Sequence, residues 1–269
     1  MATFFDSHAH LTWPDFAGEL DEVVARAKEQ GIERIVTIGT DLESSAKAVE
    51  LAERIPEVFA VVGWHPGDVM AGPEDIREEL KPMAQHKKVV AIGETGLDYF
   101  RLPSGRGGTP EEDEILKRKQ AEYFVQQLEV AVDVGLNVVI HTRGDCFDET
   151  LEILEPYADR LKAVFHCFVE TPANMRRVLD VGSIVSFTGI VTFKNAQDVR
   201  DTVLATPINK LMVETDSPFL APVPRRGKRC EPALVRHTAE KVAEIKGCTL
   251  EELSAATCAT ARSFYRGLT

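Results

Sequence analysis

The segment Asp6-Ser7-His8-Ala9-His10 sets two imidazoles two residues apart. Side chains of an extended strand repeat every two residues, so His8 and His10 can face one side and chelate one ion. The plainer alternative is a polar pair where a strand meets a loop. Other groups of the same chemistry follow short apolar runs: Glu94 after Val89–Ile92 and one Gly, His141 after Val138–Ile140, His166 after Val164-Phe165, and Asp216 after Leu211–Val213. A carboxylate placed like Glu94 is costly to bury unless it is paired or bound to a cation, and its two oxygens can bridge two ions. The alternative is a loop carboxylate capping nearby amides. Four imidazoles and two carboxylates exceed what one hydrolytic ion takes, because such a site keeps a position open for water. Two ions sharing Glu94 fit better: His8, His10, Asp216 and Glu94 on one, and Glu94, His141 and His166 on the other. Two ions ~3.5–4 Å apart activate a water as nucleophile and clamp both oxygens of a displacement, which suits phosphodiester cleavage. Asp216 can take the proton from that water. Imidazole favours Zn²⁺ or Mn²⁺ over Mg²⁺, yet all three stand as candidates for the two divalent ions.

These residues are far apart in the chain, so something regular must gather them. Eight β-branched apolar runs alternate with amphipathic stretches. The runs are Thr3–Ser7, Arg34–Ile38, Phe59–Gly63, Val89–Gly93, Asn137–Ile140, Ala163–Phe165, Ser183–Phe187 and Leu211–Val213. Helices are predicted at Asp15–Gln30, Leu42–Arg54, Asp75–His86, Ile115–Val134, Phe147–Tyr157, Pro172–Asp180, Ala196–Ala205, Pro232–Lys246 and Leu250–Ser263. This alternation predicts an α/β fold with a parallel sheet, and the count of eight favours a (β/α)8 TIM barrel. Five of the seven histidines fall at or just beyond expected strand ends, the rim on which barrels build active sites. The stretch Arg101–Glu114 reads as an inserted loop. With no linker in view, residues 1–269 are expected to form a single catalytic domain.

Composition narrows the partners. The chain has 31 Lys and Arg against 43 Asp and Glu, a net charge of −12. That argues against a broad basic surface for nucleic acid, though not against a local cationic grip on an anionic substrate. Five cysteines without CxxC spacing suggest reduced thiols. No signal peptide or membrane span is expected, and a soluble cytoplasmic protein is the resulting expectation.

Around the rim, His65 in Gly63-Trp64-His65-Pro66 reads as a phosphate contact or general acid, against a structural role. Arg143 could pair with a phosphate oxygen, with a surface salt bridge as the alternative. Arg226 and Lys228 belong to the one dense basic run, Arg225–Arg229, placed directly after the eighth strand. Trp64, Tyr99 and Phe219 are rim aromatics able to stack on bases of an unpaired strand end, although Phe219 is expected to pack in the core. Glu214 faces the same side as Asp216, deeper, as a supporting partner. Cys167 beside His166 could be mistaken for a nucleophile, but no step requires it.

The motifs DSHAH, VGWHPGD, IGETGLDYF, IHTR, FHCF and ETDSPFLAPVPRRGKR, in that order, resemble the TatD family of metal-dependent hydrolases. The resemblance implies an amidohydrolase-like barrel and a divalent-metal deoxyribonuclease, exonucleolytic on DNA, with single-stranded ends as substrate. It places His8, His10, Glu94, His141, His166 and Asp216 on the family's metal-ligand positions, with Asp216 as proton acceptor. Two departures stand out: Cys230 precedes Glu231-Pro232 where the family usually has Asn, and Thr260-Ala261 stands for its Asn-Ala. Hydrolysis of a small ester, amide or lactone at the same site is the alternative activity. A non-catalytic metal-binding scaffold would show a ligand replaced by an apolar residue, and none is.

Overall fold

Adjacent residues serve opposite faces in all the strands but the fourth, where Val90 and Ala91 both face inward. In the computed structural model, which describes residues 2–268, the strands are β1 (Phe4–Ala9), β2 (Ile32–Ile38), β3 (Val58–Val62), β4 (Val89–Asp98), β5 (Asn137–Arg143), β6 (Ala163–Phe165), β7 (Ile184–Phe187) and β8 (Leu211–Val213). Phe4, Ile35, Ala60, Val138 and Val213 point outward into the large core beneath the helices. Their neighbours Phe5, Val36, Val61, Val139 and Met212 point inward into a second, smaller core. This period of two, repeated around a parallel sheet, explains why each strand reads as a continuous apolar run.

The eight strands pair in sequence order, all in parallel. A bridge between Ala9 and Ser217 joins the first strand to the chain leaving the last, through His10 N–H to Ser217 O at 2.7 Å and Asp216 N–H to His8 O at 2.9 Å. The result is a nearly closed α/β barrel. Helices α1 (Leu20–Glu29), α2 (Leu42–Arg54), α3 (Arg77–Ala84), α4 (Pro110–Val134), α5 (Phe147–Leu154), α6 (Pro172–Asp180), α7 (Gln197–Ala205) and α8 (Val235–Lys246) surround it. A final helix, α9 (Leu250–Phe264), seals the end where the strands begin. Phe264, Tyr265 and Leu268 enter the inner core, Arg266 N–H reaches Val90 O, and the Tyr265 hydroxyl donates to Ser7 O. Only the opposite end, where the strands finish, is left for polar chemistry.

Boundaries shift by up to five residues from the sequence expectation, and three shift by that much. Helix α1 begins at Leu20, not Asp15, because a 3-10 turn at Pro14–Phe16 and Gly18 at φ +83° hold the chain out of helix. The segment Arg101–Glu114 is not loop throughout: Thr109 and Glu112 form a capping box and Pro110 sits at the first helical position, so its last five residues are the first turns of α4. Strand β4 runs past Gly93 to Asp98, with Gly96 at φ +123° against the His141 carbonyl, where a Cβ would collide. Among the described residues no helix is long and apolar enough to cross a membrane.

Candidate metal centre and active site

Strand alternation and barrel closure bring six side chains from five strand ends to one point. From β1 and the turn after β8 come His8, His10 and Asp216. The His8 and His10 Nε2 atoms lie 3.3 Å apart. Asp216 Oδ1 stands 3.7 Å from His8 Nε2 and 3.3 Å from His10 Nε2. Glu94 Oε2 stands 3.4 Å and 3.6 Å from the same two nitrogens. The other oxygen, Glu94 Oε1, lies 2.8 Å from both His141 Nδ1 and His166 Nε2, which are 3.4 Å from each other.

These spacings test whether the site suits metal. A tetrahedral ion with nitrogen and oxygen ligands at about 2.0–2.1 Å holds its donors about 3.3–3.4 Å apart. The edges around His8, His10, Glu94 Oε2 and Asp216, 3.3–3.7 Å, match that figure. Glu94 is 2 % exposed and His8 wholly buried, so like-oriented donors are crowded here away from water. The residues on the His8, His10 and Asp216 side of Glu94 fit a divalent ion. Three compact donor groups carry the same geometry: His8 with Glu94 and His166, His8 with His10 and Asp216, and His65 with Glu94 and His141.

Without ions, protons balance the carboxylates. Burial presses His166 and His141 downward, but the carboxylates beside them prevail: Glu94 and Glu214 hold His166 well above its ordinary value, and Asp98 and Glu94 raise His141. Burial would raise Glu94, yet the surrounding imidazoles, His166 first, hold it well below its usual range. Asp216 is likewise held low by His10 and His8 against the cost of burial. His8 goes the other way, lowered by burial and by His166.

Behind the cluster stand residues that fix its rings. Asp98 Oδ2 is 3.1 Å from His141 Nε2, the nitrogen turned away from Glu94. Sequence reading quoted Asp98 within its motif but gave it no role, since the glycines of β4 break the alternation that would have shown its facing. Glu214 Oε1 accepts from Cys167 N–H at 2.6 Å and lies 3.5 Å from His166 Nδ1. Asp6, also missed, accepts from Thr215 N–H at 2.8 Å and Thr215 Oγ1 at 2.6 Å, pinning the turn that presents Asp216 at φ +58°. The Cys167 thiol is pushed up to about 12, chiefly by burial, and is no nucleophile at neutral pH.

Around the mouth the expected contacts divide. His65 accepts from Gly67 N–H on Nδ1 at 2.9 Å, so its proton sits on Nε2, 3.7 Å from Glu94 Oε1. Burial and His141 lower it to about 3, which leaves the ring a neutral Nε2–H donor. The Arg143 guanidinium lies 4.0 Å over the exposed Phe100 ring, in place of the salt bridge considered as its alternative. Arg226 lies over Phe193 at 4.3 Å, and Lys228 is exposed on the same loop. Trp64 is not at the rim: it is buried against Tyr123, where its backbone is held by Gln127. Tyr99 is tied to Glu149 through its hydroxyl. Phe219, expected in the core, is 41 % exposed beside Trp13, which sequence reading passed over.

A barrel closed at one end, with histidines and carboxylates spaced for divalent metal at the other, is the frame of a metal-dependent hydrolase. The family model described as TatD related DNase matches residues 5–266, and the chain belongs to the TatD family. It is 37% identical to the uncharacterized metal-dependent hydrolase YabD of Bacillus subtilis, over 97% of this chain and 98% of that protein. It is 34% identical to the 3′-5′ ssDNA/RNA exonuclease TatD of Enterobacter lignolyticus, over 97% of this chain and 98% of that one. Among solved structures, YJJV, a TatD homologue from Escherichia coli, superposes with a TM-score of 0.87 at 25% identity, covering 98% of both chains.

Proposed function

We propose that this chain is a two-metal phosphodiesterase that removes nucleotides from unpaired DNA ends, its whole length forming one catalytic domain. The observation that carries the reading is the divided Glu94 carboxylate, with Oε2 facing His8 and His10 while Oε1 faces His141 and His166. On this reading His8, His10, Asp216 and Glu94 hold one ion, and Glu94, His141 and His166 hold the other. The chemistry that divalent ions would supply there is a more acidic water and neutralised phosphodiester oxygens. Zn²⁺ and Mn²⁺ suit the imidazole-rich set, and Mg²⁺ is the third candidate.

The chain's own residues supply the rest. Asp216, kept ionised by His10 and His8, accepts the proton of the attacking water. His65, neutral with its proton on Nε2, donates a hydrogen bond to a phosphate oxygen. Arg143, Arg226 and Lys228 offer exposed positive charge to flanking phosphates, a local grip in a chain of net charge −12. The relative named a 3′-5′ ssDNA/RNA exonuclease supports this substrate and polarity. The five free cysteines suit a reducing compartment, and we place the enzyme in the cytoplasm on that ground.

The test is incubation of metal-stripped protein with end-labelled single- and double-stranded DNA, adding Mg²⁺, Mn²⁺, Zn²⁺ or EDTA, beside a panel of small esters and lactones. The expected result is metal-dependent shortening of single strands, lost in Asp216→Asn. Turnover of the small substrates with DNA left intact would overturn the nuclease reading and leave a hydrolase of small molecules.

A further inference from the structure

In an acidic protein, two large aromatic side chains lie open at the active-site mouth. Trp13 is 39 % exposed and Phe219 41 % exposed. Their rings meet edge to face at 4.9 Å, and the His10 ring lies 6.1 Å from each. They come from the loops following β1 and β8, the two segments joined where the barrel closes. Those loops are braced: Arg229 pairs with Glu19 at 2.8 Å, donates to Asp15 O at 2.6 Å and lies over the Phe16 ring. These contacts fix the two loops against each other. Beyond Phe219 the same loop carries Arg225, Arg226 and Lys228, all exposed. An open aromatic face beside the His10 ring, on a loop that further along carries exposed cations, suits the bases and phosphates of a nucleic-acid strand.

We propose that Trp13 and Phe219 form the seat of the terminal nucleobase, positioning an unpaired strand end so that its adjoining phosphodiester enters the cluster. This rests on the nuclease reading above. Stacking on a ring face requires a base freed from its partner, so the seat selects single-stranded or frayed ends without selecting sequence, since every base has a π-face.

The protein carries two tryptophans, and Trp64 is buried, so quenching of tryptophan emission on binding reports Trp13. The probe is a single-stranded thymidine oligonucleotide with phosphorothioate linkages, intact or with an abasic residue at its 3′ or 5′ end. Trp13→Ala and Phe219→Ala should each bind the intact probe roughly ten- to hundredfold more weakly. Trp13→Phe should restore most of that affinity, with thermal melting unchanged throughout. In the parent, an abasic residue at one end alone should cost the same factor and abolish the quenching; in Trp13→Ala it should cost nothing further. If both alanine variants bind like the parent, or abasic ends bind as tightly as intact ones, the seat is wrong. Cleavage of an ordinary oligonucleotide by the parent would then keep the nuclease reading standing. If the parent neither binds nor cleaves any strand, both fall together.

Discussion

The two oxygens of Glu94 meet histidines that are held in different ways. His8 and His10 are placed by backbone: they alternate on β1, and the bonds His10 N–H to Ser217 O and Asp216 N–H to His8 O lock them against the turn after β8. Their Nδ1 atoms are buried and, like that of His166, have no hydrogen-bond partner among the described residues, and no carboxylate stands behind them. His141, by contrast, is gripped from behind by Asp98, and His166 has Glu214 at 3.5 Å. A carboxylate behind an imidazole fixes its tautomer and raises its basicity as a ligand. One half of the cluster therefore depends on barrel closure, and the other on side-chain carboxylates. The half with supporting carboxylates should hold its ion more tightly.

Glu94 is the member both halves share, so its loss should erase the comparison altogether. Glu94→Gln keeps the shape but removes the charge that faces all four histidines. Activity on single-stranded DNA should fall about a thousandfold or more. Elemental analysis of the dialysed protein should show metal lost from both positions together. Retention of a full complement would mean that the carboxylate is not shared.

Asp98→Asn probes one half alone. Removing the carboxylate behind a metal-ligating imidazole typically costs 10–100-fold in affinity. A calorimetric metal titration should show one phase weakened by roughly that factor and the other unmoved. Equal weakening of both phases, or of neither, would break the distinction drawn between the halves.

Protons separate the halves again, by a smaller factor. His166 is held well above the ordinary imidazole value and His141 is raised above it, so on this side protons compete with an incoming ion. His8 titrates below its ordinary value and binds as neutral imidazole without that competition. Apparent affinity at the His141 side should thus rise with pH through the neutral range, by up to about tenfold per unit for each proton released. The His8 side should stay flat until the solution is more acidic. Titrations in buffers of different ionisation enthalpy count the released protons directly.

How far the chain could be read in advance follows the same division. The eight strands and the six clustered side chains were legible because period-two alternation and strand ends are local properties of sequence. HxH in particular carries its geometry within three residues. Asp98 was not legible, because Gly93 and Gly96 carry β4 onward through a register shift against β5 between Ile92 and Thr95. Trp13 escaped notice for a different reason: its partner Phe219 lies across the closure of the barrel, a contact that no local pattern encodes. The start of α4 was misplaced by treating glycines and proline as loop, although Thr109-Pro110 with Glu112 is a helix-start signal.

The smallest effect concerns Cys167, which lies within the side-chain-supported half without supplying a supporting side chain. Its backbone N–H is what Glu214 accepts at 2.6 Å, whereas its thiol's hydrogen-bond contact among the described residues is Thr188 Oγ1 at 3.5 Å. Cys167→Ala retains the amide and therefore the position of Glu214 behind His166. Activity and both metal-binding phases should stay within about twofold of the parent, a difference of under half a kcal/mol in the free-energy barrier. Thiol-specific alkylating reagents should likewise leave turnover intact, because a thiol raised to about 12 presents almost no thiolate at neutral pH. A large loss in Cys167→Ala, with the fold preserved by circular dichroism, would show that the sulfur itself touches the reacting groups.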